Sequence, residues 1–118
     1  GPSAVLAALV LSGLPTDRFI FEGFLPRKKG RKNRIMSLRS ETATVIIFEN
    51  KTRIIKTLND LLEQLGERPA VVARELTKLH EEIIRGTFTD CVEYFSSNPP
   101  KGECIILVGK NDSNVYFK

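Results

Sequence analysis

The sequence predicts an α/β domain in which a mixed sheet forms one layer and flanking helices form the others. Residues 44–48 and 104–109 are continuous apolar runs, which are typical of strands covered on both faces. Between them, the apolar residues of 54–65 recur at the three, four and seven spacing of an amphipathic helix. The run 70–73 and the stretch 82–86 are expected to pair as a hairpin, and this antiparallel pair would make the sheet a mixed one.

Caps and short apolar patterns predict the elements in the first half of the chain. Ser3 is a suitable N-cap for an apolar helix over residues 4–12, and Gly13 follows at its C-terminal end. Residues 19–24 have the composition of a strand. A polar helix with weak periodicity is predicted around residues 31–39.

The second half of the chain contains the remaining predicted elements. Gly66 ends the central amphipathic helix. Thr87 or Thr89 caps a further helix, which Asn98-Pro99-Pro100 stops because proline cannot continue it. Residues 111–118 form a polar tail with no predicted element. The length of the chain fits one domain with one modest core.

The net charge of +4 is concentrated in one part of the chain. Residues 27–39, called here the basic segment, contain seven of the 18 Lys and Arg residues and no Asp or Glu, which leaves 11 basic against 14 acidic residues elsewhere. A local excess of this kind favours contact with a polyanion such as RNA over the alternative of a solvated loop and helix face. The predicted RNA contacts are Arg27, Lys28, Lys29, Arg31, Lys32 and Arg34.

The composition disfavours several other classes of protein. The longest apolar run, Ala4–Leu11, is far shorter than the roughly 20 residues that cross a membrane. Cys91 and Cys104 are the two cysteines, and they belong to no cluster with the spacing of a metal site, so no metal is expected. Two separate thiols favour a reducing compartment, and a cytoplasmic protein is the resulting expectation.

The segment Ala73–Glu82 is the most distinctive part of the sequence. It follows an apolar strand directly and contains mixed charges, one threonine and the only histidine of the chain. Loops that leave the end of a buried strand often hold binding or catalytic groups. Arg74 and Glu75 are therefore predicted to belong to a site, with an ordinary hairpin ion pair as the alternative. His80 is either a structural or exposed residue or a catalytic base.

Seven stretches of the chain follow the order found in one known family. They are Gly1–Ala4, Ser12–Phe19, Phe21–Pro26, Phe48–Arg53, Ala73–Glu82, Arg85–Thr87 and Lys101–Glu103. Together they make the chain resemble the C-terminal half of the bacterial small-subunit ribosomal RNA 2′-O-methyltransferase I family, which is similar to the tetrapyrrole (class III) methylases. The sequence departs from that family at residues 50–52, where Asn-Lys-Thr replaces the typical Ser-Pro-His.

The resemblance implies an S-adenosylmethionine-dependent enzyme that methylates a cytidine ribose in 16S rRNA of the small ribosomal subunit. It also implies that residues 1–118 are the C-terminal domain of a two-domain protein. The N-terminal domain would supply a Gly-rich cofactor loop that these residues lack, so this half alone is expected to be inactive. A homodimer of the full-length protein is expected from the same resemblance. The catalytic residues are not identified by it.

Four residues are expected to bind the cofactor because the resemblance places them at its pocket: Ser3, Ala4, Glu49 and Leu76. The local physics agrees in part. Ser3 and Ala4 open a helix, where unpaired N–H groups suit a polar ligand, and Glu49 and Leu76 each follow a buried strand. The alternatives are that Ser3 only caps a helix, that Glu49 only pairs with Arg53 one turn later, and that Leu76 only fills the hairpin.

Two other functions stay open at this point. One is another class III methylase that acts on a tetrapyrrole or on diphthamide, for which a basic segment would have less use. The other is a standalone RNA-binding module. A reading frame that continues upstream with a Gly-rich strand–loop–helix would exclude the standalone module.

Overall fold

The computed structural model describes residues 2–74 and 82–112. Within these residues, helices and strands alternate except for two consecutive strands, and five strands form one sheet. The predicted fold class, a mixed-sheet α/β domain with flanking helices, is confirmed. The elements are α1 Pro2–Ser12, β1 Phe19–Phe24, α2 Arg31–Met36, β2 Thr44–Glu49, α3 Ile54–Leu65, β3 Pro69–Arg74, β4 Glu82–Thr87, α4 Phe88–Ser97 and β5 Cys104–Val108.

The strand order in the sheet is β1-β2-β5-β3-β4, with one parallel pair of strands and three antiparallel pairs. β1 pairs with β2 in parallel, whereas β5 is antiparallel to both β2 and β3. β3 and β4 form the predicted hairpin, in which Val71 pairs with Arg85 and Arg74 pairs with Glu82. Because β5 is antiparallel to both of its neighbours and β1 is parallel to β2, the strands β1, β2 and β3 all point the same way.

Helices cover both faces of the sheet. On one face, α2, α3 and α4 pack on a cluster that includes Val45, Val72 and Ile106. On the other face, α1 packs on a cluster that includes Ile46 and Leu107. This cover on two sides explains why β2, β3 and β5 read as continuous apolar runs instead of alternating ones.

Two predicted helix boundaries are wrong, and one open choice is decided. α1 begins at Pro2, so Ser3 lies inside the helix and is not its N-cap; proline suits the first helical position because the N–H that it lacks has no partner there. α2 ends at Met36, three residues early. Thr87 is the N-cap of α4, where its hydroxyl accepts from the Asp90 N–H and the Asp90 carboxylate accepts from the Thr87 N–H.

Candidate functional site

The C-terminal ends of β1, β2 and β3 meet at one edge of the sheet, called here the carboxyl edge. The first residues of β4 and β5 lie at the same edge because these strands run the other way. The register pairs Cys104 of β5 with both Glu49 and Arg74, and it pairs Arg74 with Glu82. β1 ends there at Phe24. Since α/β proteins bind ligands at such strand ends, the carboxyl edge is the candidate site.

Glu49 ends β2 at this edge, and its buried carboxylate is held by several groups. Its Oε1 accepts from the backbone N–H of Asn50 at 2.7 Å, and its Oε2 accepts from the Thr57 hydroxyl at 2.6 Å. The predicted ion pair with Arg53 is present at 4.0 Å between Nε and Oε1. The structural role is therefore confirmed. Contact of Glu49 with a cofactor stays a prediction, and it is chemically possible because each carboxylate oxygen accepts more than one hydrogen bond.

Thr57 connects Glu49 to the start of α2. Its buried hydroxyl accepts from Arg31 Nη2 at 2.8 Å, while Arg31 Nε donates to Asp60 Oδ2 at 2.9 Å and Arg31 Nη1 donates to the Pro26 carbonyl at 3.0 Å. Thr57 is not among the site residues that the sequence pattern predicts. The available signal was a hydroxyl inside the apolar stripe of α3, since a buried hydroxyl requires a partner.

The structure divides the seven cations of the basic segment into six exposed residues and one buried residue. The exposed residues are Arg27, Lys28, Lys29, Lys32, Arg34 and Arg39. Of these, Arg34 forms an ion pair with Glu22 of β1. Arg31 is only 7% exposed, and three hydrogen bonds occupy its guanidinium. The predicted phosphate contact of Arg31 is therefore corrected to a structural role, because its guanidinium faces the interior.

A cavity of about 220 Å³ opens beside the basic segment, between α2 and α3. Its walls carry both signs of charge, with Lys28 and Lys32 on one side and Asp60 and Glu63 on the other. This mixture gives the cavity no clear preference for an anion. It is therefore not assigned as a binding site separate from the basic segment.

A charged cluster joins β3 and β4 at the carboxyl edge. Glu82 accepts from Arg74 Nε and from the Tyr94 hydroxyl, and Arg74 Nη1 also donates to the Lys101 carbonyl at 3.4 Å. Burial raises the pKa of Glu82, but the hydrogen bonds from Tyr94 and Arg74 outweigh it and hold the pKa below its usual value. The same hydrogen bond to Glu82 raises the pKa of Tyr94. Glu75, predicted beside Arg74, lies outside the described residues.

Ser3 and Ala4 lie in the first turn of α1. Ala4 packs on the hydrophobic cluster that Phe48 and Ile83 also join, and these two residues are next to the carboxyl edge. Ala4 therefore lies on the face of the sheet that α1 covers, whereas the Glu49 side chain bonds Thr57 of α3 on the opposite face.

Leu76 and His80 lie outside the described residues, so their predicted roles are not tested. The same holds for residues 113–118 of the predicted tail. In residues 2–74 and 82–112, no group of three His, Cys, Asp or Glu side chains is arranged to hold a metal ion. No helix in that part of the chain has the length and apolar character needed to cross a membrane.

Comparison with known proteins identifies the class of protein. Residues 1–91 match the family described as Tetrapyrrole (Corrin/Porphyrin) Methylases. Because the match covers most of the chain, this protein belongs to that family.

Two relatives with high sequence identity to this chain have the same name. The Ribosomal RNA small subunit methyltransferase I of Thermotoga maritima is 44% identical over 111 residues, which are 93% of this chain and 50% of that protein. Its namesake in Synechocystis sp. is 49% identical over 112 residues, which are 92% of this chain and 40% of that protein. The chain therefore spans about half or less of the length of the curated relatives that it matches. These matches do not support the predicted position of this region as the C-terminal domain.

Solved structures show the same fold at lower identity. The X-ray structure of a cobalamin biosynthetic enzyme, cobalt precorrin-4 methyltransferase, aligns with a TM-score of 0.66 at 22% identity and covers 90% of this chain and 48% of its own. The structure of a putative diphthine synthase from Entamoeba histolytica aligns with a TM-score of 0.58 at 16% identity and covers 93% and 52%. At such identities the likeness establishes the fold alone.

Proposed function

We propose that this chain is about one half of an S-adenosylmethionine-dependent methyltransferase that acts on the ribose 2′-hydroxyl of a cytidine in 16S rRNA. The observation that supports this most is the identity of 44% and 49% with two proteins named Ribosomal RNA small subunit methyltransferase I. The exposed cations of the basic segment add chemical support, because they suit a phosphate backbone. An enzyme that acts on a tetrapyrrole or on diphthamide would have the same fold, but it would have less need of a basic surface that binds a polyanion.

The chemistry requires alignment more than it requires acid or base strength. S-adenosylmethionine supplies a methyl group on a sulfonium, which is already a good leaving group. The task of the protein is therefore to hold the ribose oxygen in line with the methyl carbon and to exclude water.

The residues of this chain suit one side of a cofactor pocket. The N–H groups in the first turn of α1, at Ser3 and Ala4, have no partners within the helix and would donate to a polar ligand. The Glu49 carboxylate would accept from a hydroxyl or amine of the cofactor. Leu76, predicted at the same pocket, would supply an apolar contact.

The other side of the pocket would come from the rest of the protein, since the chain spans half or less of its relatives. We expect this chain alone to bind S-adenosylmethionine weakly or not at all in calorimetry, and to transfer no methyl group. Micromolar binding or turnover by this chain alone would contradict the arrangement in two halves.

The full-length protein provides the decisive assay. It should transfer a labelled methyl group from S-adenosylmethionine to unmethylated small ribosomal subunits. Transfer to a tetrapyrrole but not to the subunits would replace the proposal with the alternative. Sedimentation velocity of the same protein tests the expected homodimer, and a cytoplasmic location follows from the proposed substrate. A Gly-rich strand–loop–helix encoded upstream of these residues would support the C-terminal position, whereas one encoded downstream would reverse it.

One substitution in the full-length protein tests the predicted pocket. Ala4→Leu should raise the dissociation constant of S-adenosylmethionine about tenfold, or about 1.4 kcal/mol. The larger side chain would occupy the space beside the first turn of α1 in which the cofactor is expected. The matched control is Val10→Leu, at a position on the same helix that is 74% exposed. Equal cofactor affinity in both variants would remove Ala4 from the pocket.

A further inference from the structure

Two aromatic side chains of β1 are unusually open to solvent. Phe21 and Phe24 are 54% and 57% exposed. Both pack edge-on against Phe48 of β2, with ring centroids 5.0 and 5.6 Å from the Phe48 centroid. β1 is the outermost strand on its side of the described sheet. These three rings, called here the aromatic row, are in edge-on contact and extend to the carboxyl edge, and contiguous exposed apolar surface is a feature of binding surfaces.

The aromatic row borders the basic segment although the two face different ways. Glu22, between the rings in sequence, pairs with Arg34 of α2, whereas Phe48 packs with the cluster under α1. The chain nevertheless runs directly from Phe24 to the first exposed cation. Arg27 follows Phe24 by three residues, which span at most about 10 Å. Rings and cations therefore meet at one rim of the domain.

Open aromatic rings on a sheet beside cations are suited to single-stranded RNA. Unpaired bases stack on the rings, while Lys and Arg side chains contact the phosphates. We propose that the aromatic row stacks an unpaired base of the RNA whose phosphates contact the basic segment. This inference rests on the proposed rRNA substrate, and it adds a site for a base to the phosphate contacts.

Charge complementarity favours RNA over a protein as the occupant of the aromatic row. The basic segment has seven cations and no acidic residue within 13 positions, and it begins three residues after Phe24. The exposed apolar side of α1, at Leu6 and Val10, differs in this respect because α1 contains no charged residue. Nothing comparable indicates what covers that side of α1.

Fluorescence of a base analogue in the RNA tests the stacking directly. The full-length protein is titrated with a short single-stranded RNA that contains one 2-aminopurine. Its fluorescence should be quenched by the wild-type protein, and replacing both Phe21 and Phe24 with Ala should weaken binding at least about fivefold, the lower limit for one stacked base. Phe24→Tyr should retain affinity because it keeps the ring. The control is Val10→Ala, another exposed apolar residue.

The salt dependence of binding separates stacking from phosphate contact. The phenylalanine variants remove no charge, so the log–log slope of affinity against salt should stay unchanged. Lys28→Ala should reduce that slope by about 0.7, the value for one phosphate of a single strand. Loss of affinity with an unchanged slope in the phenylalanine variants supports the proposal.

Three outcomes would overturn the inference, and they differ in what else they affect. Wild-type affinity and quenching in the double variant remove the stacking site and leave the proposed function intact. A changed oligomeric state or melting temperature with unchanged RNA affinity means that protein covers the aromatic row. A wild-type protein that neither binds the RNA nor methylates small subunits removes the proposed function together with the stacking site.

Discussion

Replacing Arg31 with Ala tests whether this residue belongs to the fold or to the RNA-binding surface. In sequence it is one of seven cations in the basic segment. In the structure it is 7% exposed and donates to Asp60, Thr57 and the Pro26 carbonyl. The structure therefore predicts that Arg31→Ala lowers the free energy of unfolding.

The size of the loss follows from the partners that remain. A hydrogen bond to a charged group contributes about 1.5–3 kcal/mol, and removing one member of a buried ion pair costs about 3–5 kcal/mol. The Asp60 side chain is 25% exposed and keeps Lys56 at 3.5 Å, so solvent and a second cation reduce the penalty. The Thr57 hydroxyl loses a donor but still bonds Glu49. We expect a loss of about 2–3 kcal/mol, or roughly 8–12 °C in Tm.

Urea and thermal unfolding, followed by circular dichroism, measure this loss. The control is Lys32→Ala, which removes a neighbouring exposed cation and should change stability by less than about 0.5 kcal/mol. Arg31→Lys should be intermediate, because an ammonium group cannot reproduce the planar fork of the guanidinium. If Arg31→Ala were as stable as Lys32→Ala and lost the same amount of salt-dependent RNA affinity, the structural role of Arg31 would be refuted.

Three further predictions concern the second half of the chain. Burial and then nearby negative charges raise the pKa of Cys91 to about 12, so iodoacetamide at mildly alkaline pH should modify this thiol only after unfolding, as peptide mapping would show. Gly86→Ala should cost about 1–2 kcal/mol in urea unfolding, because a Cβ there would lie 2.6 Å from Asp90 Oδ2 and displace the capping carboxylate. The lowered pKa of Glu82 stabilises the fold above the unfolded pKa near 4.5, and this contribution is lost as pH falls through the folded pKa. Glu82→Gln should therefore be less stable than wild type at neutral pH and equally stable in acid, and Tyr94→Phe should weaken the same pH dependence.

Hydrophobic patterns in the sequence predicted the helices and strands that begin and end where the buried core begins and ends. β2 and β5 are covered on both faces, so their sequences have no alternation to misread, and α3 has a single apolar stripe that ends at Gly66. The predicted end of α2 was wrong because the residues of this helix have no such apolar pattern. Buried Arg68 donates to the carbonyls of Leu38 and Arg39 just beyond that helix, and contacts between residues so far apart in sequence leave no local pattern.

The candidate site was predictable where neighbours in sequence determine it. Glu49 and Arg53 are one helical turn apart, and the predicted pair is present. Arg31 shows the limit, because its partners Thr57 and Asp60 lie 26 and 29 residues away. A run of cations looks uniform in sequence, and only the packing of α2 on α3 selects which of them is buried.

One chain of hydrogen bonds joins the two parts of the proposed site. Glu49 at the carboxyl edge accepts from Thr57, and Thr57 accepts from Arg31 at the start of α2. We therefore expect the position of the basic segment to be coupled, through α3, to the residue predicted at the cofactor. Loss of Arg31 should weaken cofactor binding as well as RNA binding, whereas loss of exposed Lys32 should weaken RNA binding alone. Such a difference would mean that the fold aligns the RNA-binding surface with the cofactor edge, as an in-line transfer from cofactor to ribose requires.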